Sequence, residues 1–224
     1  MTWVLDNLGL IWSLTLKHVA QCAPPIILGF LLALPVGWVA HRYTRIRGVV
    51  LSVVGVLYAI PSFGLFAVLA SLFGIEYLSP TNLVVALTIY AVALMTRSVA
   101  DAFDSVDDDA RQAATAIGYS RVRRFFTVEL PLAGPVLLAG LRVATVSTVA
   151  LATVGILIGV ENLGYLFTNG SQRRIIAEVL AGVVAVGVMA WVFDLLLVAL
   201  GRLLLPWNRP APRTARTRRV VAAA

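Results

Sequence analysis

The chain has 224 residues, 60% of them hydrophobic and 13% charged, with a mean hydropathy of +0.91 and a formal net charge of +7. A soluble domain of this length needs a far more polar surface, so a water-soluble enzyme or scaffold is excluded and one membrane-embedded domain is the economical organisation. The single cysteine, Cys22, excludes an intrachain disulfide and a thiolate metal site, and reads as a small packing residue. The two histidines, His18 and His41, lie at opposite ends of one apolar run, too far apart to share a metal ion, and are expected to be interfacial polar residues.

In chain order, residues 1–17 carry Trp3 and Trp12 among Leu5, Leu8, Ile11 and Leu16. They are too interrupted to span and are expected to form an interfacial segment anchored by tryptophan. No basic start precedes a compact apolar core, which argues against a cleaved signal peptide. Five apolar runs follow, at 19–40, 49–73, 83–95, 132–159 and 175–205. Four exceed the roughly 20 residues a spanning helix needs, and the third becomes adequate when extended to 81–97. The expected fold is therefore an all-α polytopic membrane protein with five transmembrane helices, a membrane core over 19–205 and a basic tail over 206–224.

Arginine placement orients the chain. Arg42, Arg45 and Arg47 follow the first run, Arg111, Arg121, Arg123 and Arg124 the third, and Arg202, Arg209, Arg213, Arg216, Arg218 and Arg219 the fifth. With five spans these all fall on one side, which the positive-inside rule makes the cytoplasm. The N-terminus and the 161–174 loop are then outside; Arg173 and Arg174 are the discordant pair. The tail "RPAPRTARTRR" accordingly reads as a lipid-facing segment, and nucleic acid is not an expected partner.

Between runs three and four lies "DARQAATAIGYSRVRRFFTVELPLAGP". Asp107, Asp108 and Asp109 precede a run of helix formers, where the helix dipole favours acids. Gly118 suits a C-terminal cap, Ser120 an N-terminal cap, and Leu130 and Pro131 lead into the fourth run. The 107–128 segment is therefore expected to be a helix, a tight turn and a second helix. Ala113, Ala114 and Ala116 make one surface small, and Arg121, Arg123 and Arg124 ring the turn with positive charge. From composition alone, such a segment serves either as a docking element or as a loop packed on its own membrane domain.

In order and spacing Gln112, Ala113, Ala114, Gly118, Leu130, Pro131 and Pro135 resemble the "EAA" loop of ABC importer permeases. The resemblance extends to the osmoprotectant branch, permeases for quaternary amines such as glycine betaine, carnitine and choline. It is carried by "LPVGWVAHR", "YAIPSFGLFAVL", "VELPLAGPVLLAGLRVATVSTVALATVG", "IGVENLGYLF" and "VFDLLL", and covers nearly the whole chain. It implies a type I importer-like permease of a cell membrane, importing compatible solutes including proline. Its implied partners are an ATP-binding subunit, an extracytoplasmic substrate-binding protein and a second permease chain, identical or homologous. Gln112, Ala113, Ala114, Gly118, Tyr119, Arg121, Leu130 and Pro131 would form the ATPase-docking loop. Two departures stand out: Gln112 replaces the usual Glu, and Glu161 and Asn162 replace small residues, which implies an altered outward surface.

Within the spans, Pro61 and Ser62 are expected to bend the second helix, as either a pathway element or a packing irregularity. Arg142 and Asp194 are charges that no interface accounts for. They lie about 17 Å from Pro131 and about 12 Å from Arg202 along their helices, at similar depth, so they are expected to pair as a brace or as part of the pathway. Glu178 is expected to be solvated at the outer interface. The aromatics Tyr58, Phe63, Phe66, Tyr90, Tyr165, Phe167 and Trp191 are scattered, so spacing defines no cation box.

A phosphate-binding loop needs a glycine-rich turn with its lysine, and the chain's lone lysine, Lys17, has none around it. No Ser/His/Asp arrangement, "HExxH" or facing carboxylate pair is present, so no catalytic residue, metal site or cofactor is expected and ATP hydrolysis is assigned to a partner. Other readings that fit the composition are an ion-coupled secondary carrier using Asp194 or Arg142, a permease of another importer class such as amino acids, and a subunit that only anchors partners.

Overall fold

The computed structural model describes residues 2–208; the tail arginines from Arg209 onward lie outside them. Ten α-helices follow one another: α1 Thr2–Asp6, α2 Leu8–Arg42, α3 Thr44–Ala59, α4 Ser62–Phe73, α5 Pro80–Asp104, α6 Asp108–Ala116, α7 Arg121–Arg124, α8 Leu130–Ala152, α9 Gly164–Gln172 and α10 Ile176–Leu204. No strand occurs among the described residues. Four helical stretches are individually long and apolar enough to cross a bilayer, while α3 and α4 reach that length only as a pair, bent by 102° between them. Four of the five expected spans are thus single long helices, and the second is a bent pair of shorter ones.

Three boundaries differ from the sequence reading. First, Leu8–Arg42 is one helix of 35 residues, so much of the expected interfacial segment is simply the start of the first span. At 1.5 Å per residue it measures about 52 Å, more than a hydrocarbon core, which lets its tryptophan-bearing end occupy a headgroup layer. Second, the third span is 25 residues long and not short. It runs past Arg97 to Asp104, because Asp101 and Asp104 meet Arg47 and His41 at 2.5 to 3.2 Å and so need not end the helix. Third, the second span is broken rather than kinked. Pro61 lacks an N–H and its predecessor, Ile60, takes extended geometry; the Ile60 carbonyl accepts a hydrogen bond from the Tyr90 hydroxyl at 2.7 Å, so the break strands no buried acceptor.

The core is built on α2 against α5. Gly29, Ala33 and Gly37 lie one turn apart on α2, and a methyl group on Gly37 would sit 2.5 Å from Val99 Cβ and 2.7 Å from the Thr96 carbonyl. Small residues at this spacing let two backbones close up where lipid supplies no hydrophobic drive, and dispersion then does the work. Helix α8 packs antiparallel to α10: Gly134 abuts Leu205, Gly201 abuts Leu138, and Arg142 meets Asp194. Helix α10 is the least enclosed of the long helices, burying Glu178, Gly182, Met189 and Gly201 alone.

Candidate functional site

The α6–α7 loop closes by backbone geometry. The Asp107 side chain caps α6, accepting from Asp109 N–H at 2.9 Å. At the other end Tyr119 N–H reaches the Ala114 carbonyl at 3.1 Å and Gly118 N–H reaches the Thr115 carbonyl at 3.0 Å, the paired bonds of a Schellman turn. Gly118 has φ +86°, a conformation that a β-carbon penalises, so the glycine is required there. Ser120 then caps α7, accepting from Arg123 N–H at 3.3 Å.

The second loop helix is not a separate element. From Arg121 the chain stays helical for 38 residues to Ile158, passing through one π-helical turn at Phe125–Glu129 and ending in a 3-10 segment at Thr153–Ile158. Pro131 lies just past that turn, and the Leu130 N–H bonds back to the Phe125 carbonyl. The wider turn absorbs the donor that proline lacks without breaking the rod.

What mounts the loop escaped the sequence reading. Phe125 stacks on buried Phe103 at 5.5 Å and meets Trp38 edge-on at 6.0 Å, joining α5, α2 and the π turn. Arg124 Nε donates to Glu129 at 2.6 Å and its NH1 donates to Thr115 at 2.8 Å, tying α6 to the rod. Arg111 donates to Asp108 and to the Phe103 carbonyl, tying α6 to α5. In sequence Trp38, Phe103 and Phe125 show only as three more aromatics, and Arg111 and Arg124 read only as positive charge.

The predicted docking residues divide. Gln112, Ala113, Gly118 and Arg121 are exposed. Ala114 is buried in the single chain, where its smallness serves packing within the loop. Tyr119 is half-buried, with the Arg123 guanidinium 4.2 Å above its ring. Leu130 and Pro131 are half-buried in the rod. An apolar tip stands out instead: Ile117, Val122 and Phe126 are 72%, 68% and 62% exposed.

At the opposite end the polar residues that seemed interfacial are internal. His18 is fully buried; Leu163 N–H donates to its Nδ1 at 3.3 Å, leaving Nε2–H to donate to the Val149 carbonyl at 3.0 Å. Asn162 is also fully buried and does not alter the outward surface. Its Nδ2 donates to Gln21 Oε1 at 2.9 Å and the Ala152 carbonyl at 2.8 Å, and its Oδ1 accepts from Gly164 N–H at 2.7 Å. Glu161 alone stays outside, paired with Lys17 at 2.5 Å. Glu178, expected in solvent, is buried and accepts from Asn169 Nδ2 at 2.6 Å. Back at the α6–α7 end, His41 is partly buried against Phe103 and pairs with Asp104.

In the bundle, Arg142 and Asp194 form a bidentate pair, Nε to Oδ1 at 2.6 Å and NH2 to Oδ2 at 2.7 Å. Pro61 is exposed and Ser62 half-buried at the α3–α4 break, and neither touches this pair through any hydrogen bond among the described residues. No cluster of three metal-ligating side chains occurs among the described residues.

Comparison with known proteins agrees with this architecture. Residues 19–210 match the family described as the binding-protein-dependent transport system inner membrane component. The osmoprotectant import permease protein OsmW of Salmonella typhimurium is 31% identical over 91% of this chain and 96% of its own length. The glycine betaine/carnitine/choline transport system permease protein OpuCD of Bacillus subtilis is 28% identical over 92% and 89%. A chain solved in an inward-facing conformation of the MetNI methionine ABC transporter superposes with a TM-score of 0.77 at 19% identity, over 89% of this chain and 98% of that one. With its family model covering the long apolar helices and the loop between them, the chain belongs to the binding-protein-dependent transport system inner membrane components: it is a multi-pass membrane permease subunit.

Proposed function

We propose that the chain is the pathway-forming subunit of an ATP-driven importer of compatible solutes: glycine betaine, choline, carnitine or proline. It lies with its N-terminus outside and the α6–α7 loop in the cytoplasm. Two such chains, or this one and a homologue, enclose the pathway, and a binding protein delivers substrate from outside. Each loop seats on an ATP-binding subunit, which supplies the hydrolysis that this chain does not perform.

The observation that carries the reading is the exposed apolar side chains Ile117, Val122 and Phe126 on a loop tied to α5 through Arg111 and to the rod through Arg124. An apolar patch kept in water by a rigid mount suits a protein partner. The mount also suits force transmission: ATP-driven closure of the partner displaces the tip, and the continuous Arg121–Ile158 rod carries that displacement past Arg142 to the far end of the bundle.

The test is reconstitution with the ATP-binding subunit and the binding protein, followed by uptake of labelled glycine betaine, choline and carnitine. Ile117→Asp changes stability by less than about 0.5 kcal/mol at an exposed site, yet is expected to abolish co-purification of the ATPase and ATP-dependent uptake. Uptake by the chain alone, driven by an ion gradient, overturns the proposal in favour of a carrier.

A further inference from the structure

The Arg142–Asp194 pair lies deep in the bundle, about 18 Å along α8 from Leu130 and about 15 Å along α10 from Leu204. It is not enclosed: 43% of the Arg142 side chain and 24% of the Asp194 side chain remain accessible in the single chain. Charged groups at such a depth do not face hydrocarbon, so the face that carries them borders water or a second chain. Both helices are apolar around it, with Val143 and Val146 exposed on α8 and Leu195 on α10.

The pair is also chemically unfinished. A guanidinium has five N–H donors, and Asp194 takes one from Nε and one from NH2. The other three have no acceptor among the described residues and belong to the side chain's accessible part. Three donors in a planar fork are enough to hold a second carboxylate without releasing the first. Asp194 in turn leaves lone pairs free on both oxygens. Trp191 lies three residues earlier on α10, hence on the same side of the helix, and is 62% exposed. An exposed indole and a carboxylate on one side of a helix together attract a quaternary ammonium, which cannot donate hydrogen bonds and is held by charge and by the ring's π face.

Resting on the reading of this chain as a compatible-solute permease, we infer that Arg142, Asp194 and Trp191 form an intramembrane site that favours zwitterions over simple cations. The substrate carboxylate takes the free guanidinium donors while its quaternary ammonium lies against Asp194 and the Trp191 ring. Charges then alternate along the line, and each has an opposite neighbour. A substrate with an ammonium and no carboxylate, such as choline, leaves those donors unfilled and sets its cation beside an uncompensated Arg142. The pair itself is neutral, which lets the closed pathway hold these charges between cycles.

The experiment compares initial ATP-dependent uptake of labelled glycine betaine and labelled choline by the full reconstituted complex, with assembly monitored by co-purification of the ATP-binding subunit. Arg142→Gln leaves a lone carboxylate and shifts the uptake ratio toward choline; Asp194→Asn leaves a lone guanidinium and shifts it toward glycine betaine, each by about tenfold from the change in local charge. If either single variant fails to assemble, the neutral double variant Arg142→Gln/Asp194→Asn removes both charges together. It is expected to assemble and to lose the wild-type preference for glycine betaine. An unmoved ratio in assembled variants overturns the site and leaves the pair as a brace alone. A wild-type complex that takes up neither substrate marks the failure of the compatible-solute reading itself, and the site falls with it.

Discussion

The two ends of the bundle are held by different physics. At the end near Asn162, shape depends on buried amides and an imidazole whose hydrogen bonds join α2, α8 and the turn before α9, with every partner out of water. At the α6–α7 end, an aromatic mount and ion pairs with part-exposed members hold the loop, and its apolar tip is left bare. A buried polar network tolerates almost no change, because each partner lost strands another group in a place without water. An ion-paired loop in water tolerates more. The difference teaches which end behaves as a fixed frame and which as a fitting for another protein.

Asn162→Leu should have the largest effect. It strands Gln21 Oε1, the Ala152 carbonyl and the Gly164 N–H, and is expected to cost about 3 kcal/mol or more in unfolding of the detergent-purified chain. Hydrogen exchange should show the lost protection confined to that end; equal loss around α6 would mean the two ends are one cooperative unit. Next comes Phe125→Ala, which removes the ring between Phe103 and Trp38. A partly buried phenylalanine is worth about 2 kcal/mol, and here the protection lost should lie in α6 and α7 with the Asn162 end unchanged.

Gly118→Val forces a branched side chain into the left-handed region, costing about 1–2 kcal/mol within the loop alone. Uptake should fall several-fold while global unfolding barely moves, and Gly118→Asn should retain more activity because Asn tolerates this geometry. Full uptake by the valine variant would argue that the turn need not be rigid. Lys17→Gln is the smallest. Its pair with Glu161 is about half exposed on both sides, and its loss should cost no more than about 1 kcal/mol, less at high salt. A loss as large as that of Asn162→Leu would transfer the fixing of that end from the buried amide to the surface pair.

Much of the loop was legible because its signals are local. Asp107, Gly118 and Ser120 act on backbone groups within a few residues of themselves, so cap chemistry predicts them without knowledge of the rest of the fold. The Arg142–Asp194 contact was legible for another reason: two charges in otherwise apolar runs at matching depth have few other partners. The burial of Ala114 was not legible, because small residues serve an interface and a tight interior equally well, and spacing does not say which face turns inward. His18, Asn162 and Glu178 misled similarly, since a polar residue near the end of a run reads as solvated until the partners that bury it are known.

The sequence by itself determined that this chain crosses a membrane about five times and carries a capped helical loop between its third and fourth crossings. Hydropathy over a bilayer's thickness and capping within one turn are properties of contiguous residues. Only the tertiary structure decided that the second crossing is broken at Pro61 and that the loop's second helix and the fourth span are one rod. It alone showed that Phe125 mounts the loop, and that the polar residues at the far end are bonded to each other and not to water. Each of these rests on groups tens of residues apart, such as Tyr90 with Ile60, Phe103 with Phe125 and His18 with Leu163, which only the packing of whole helices brings together.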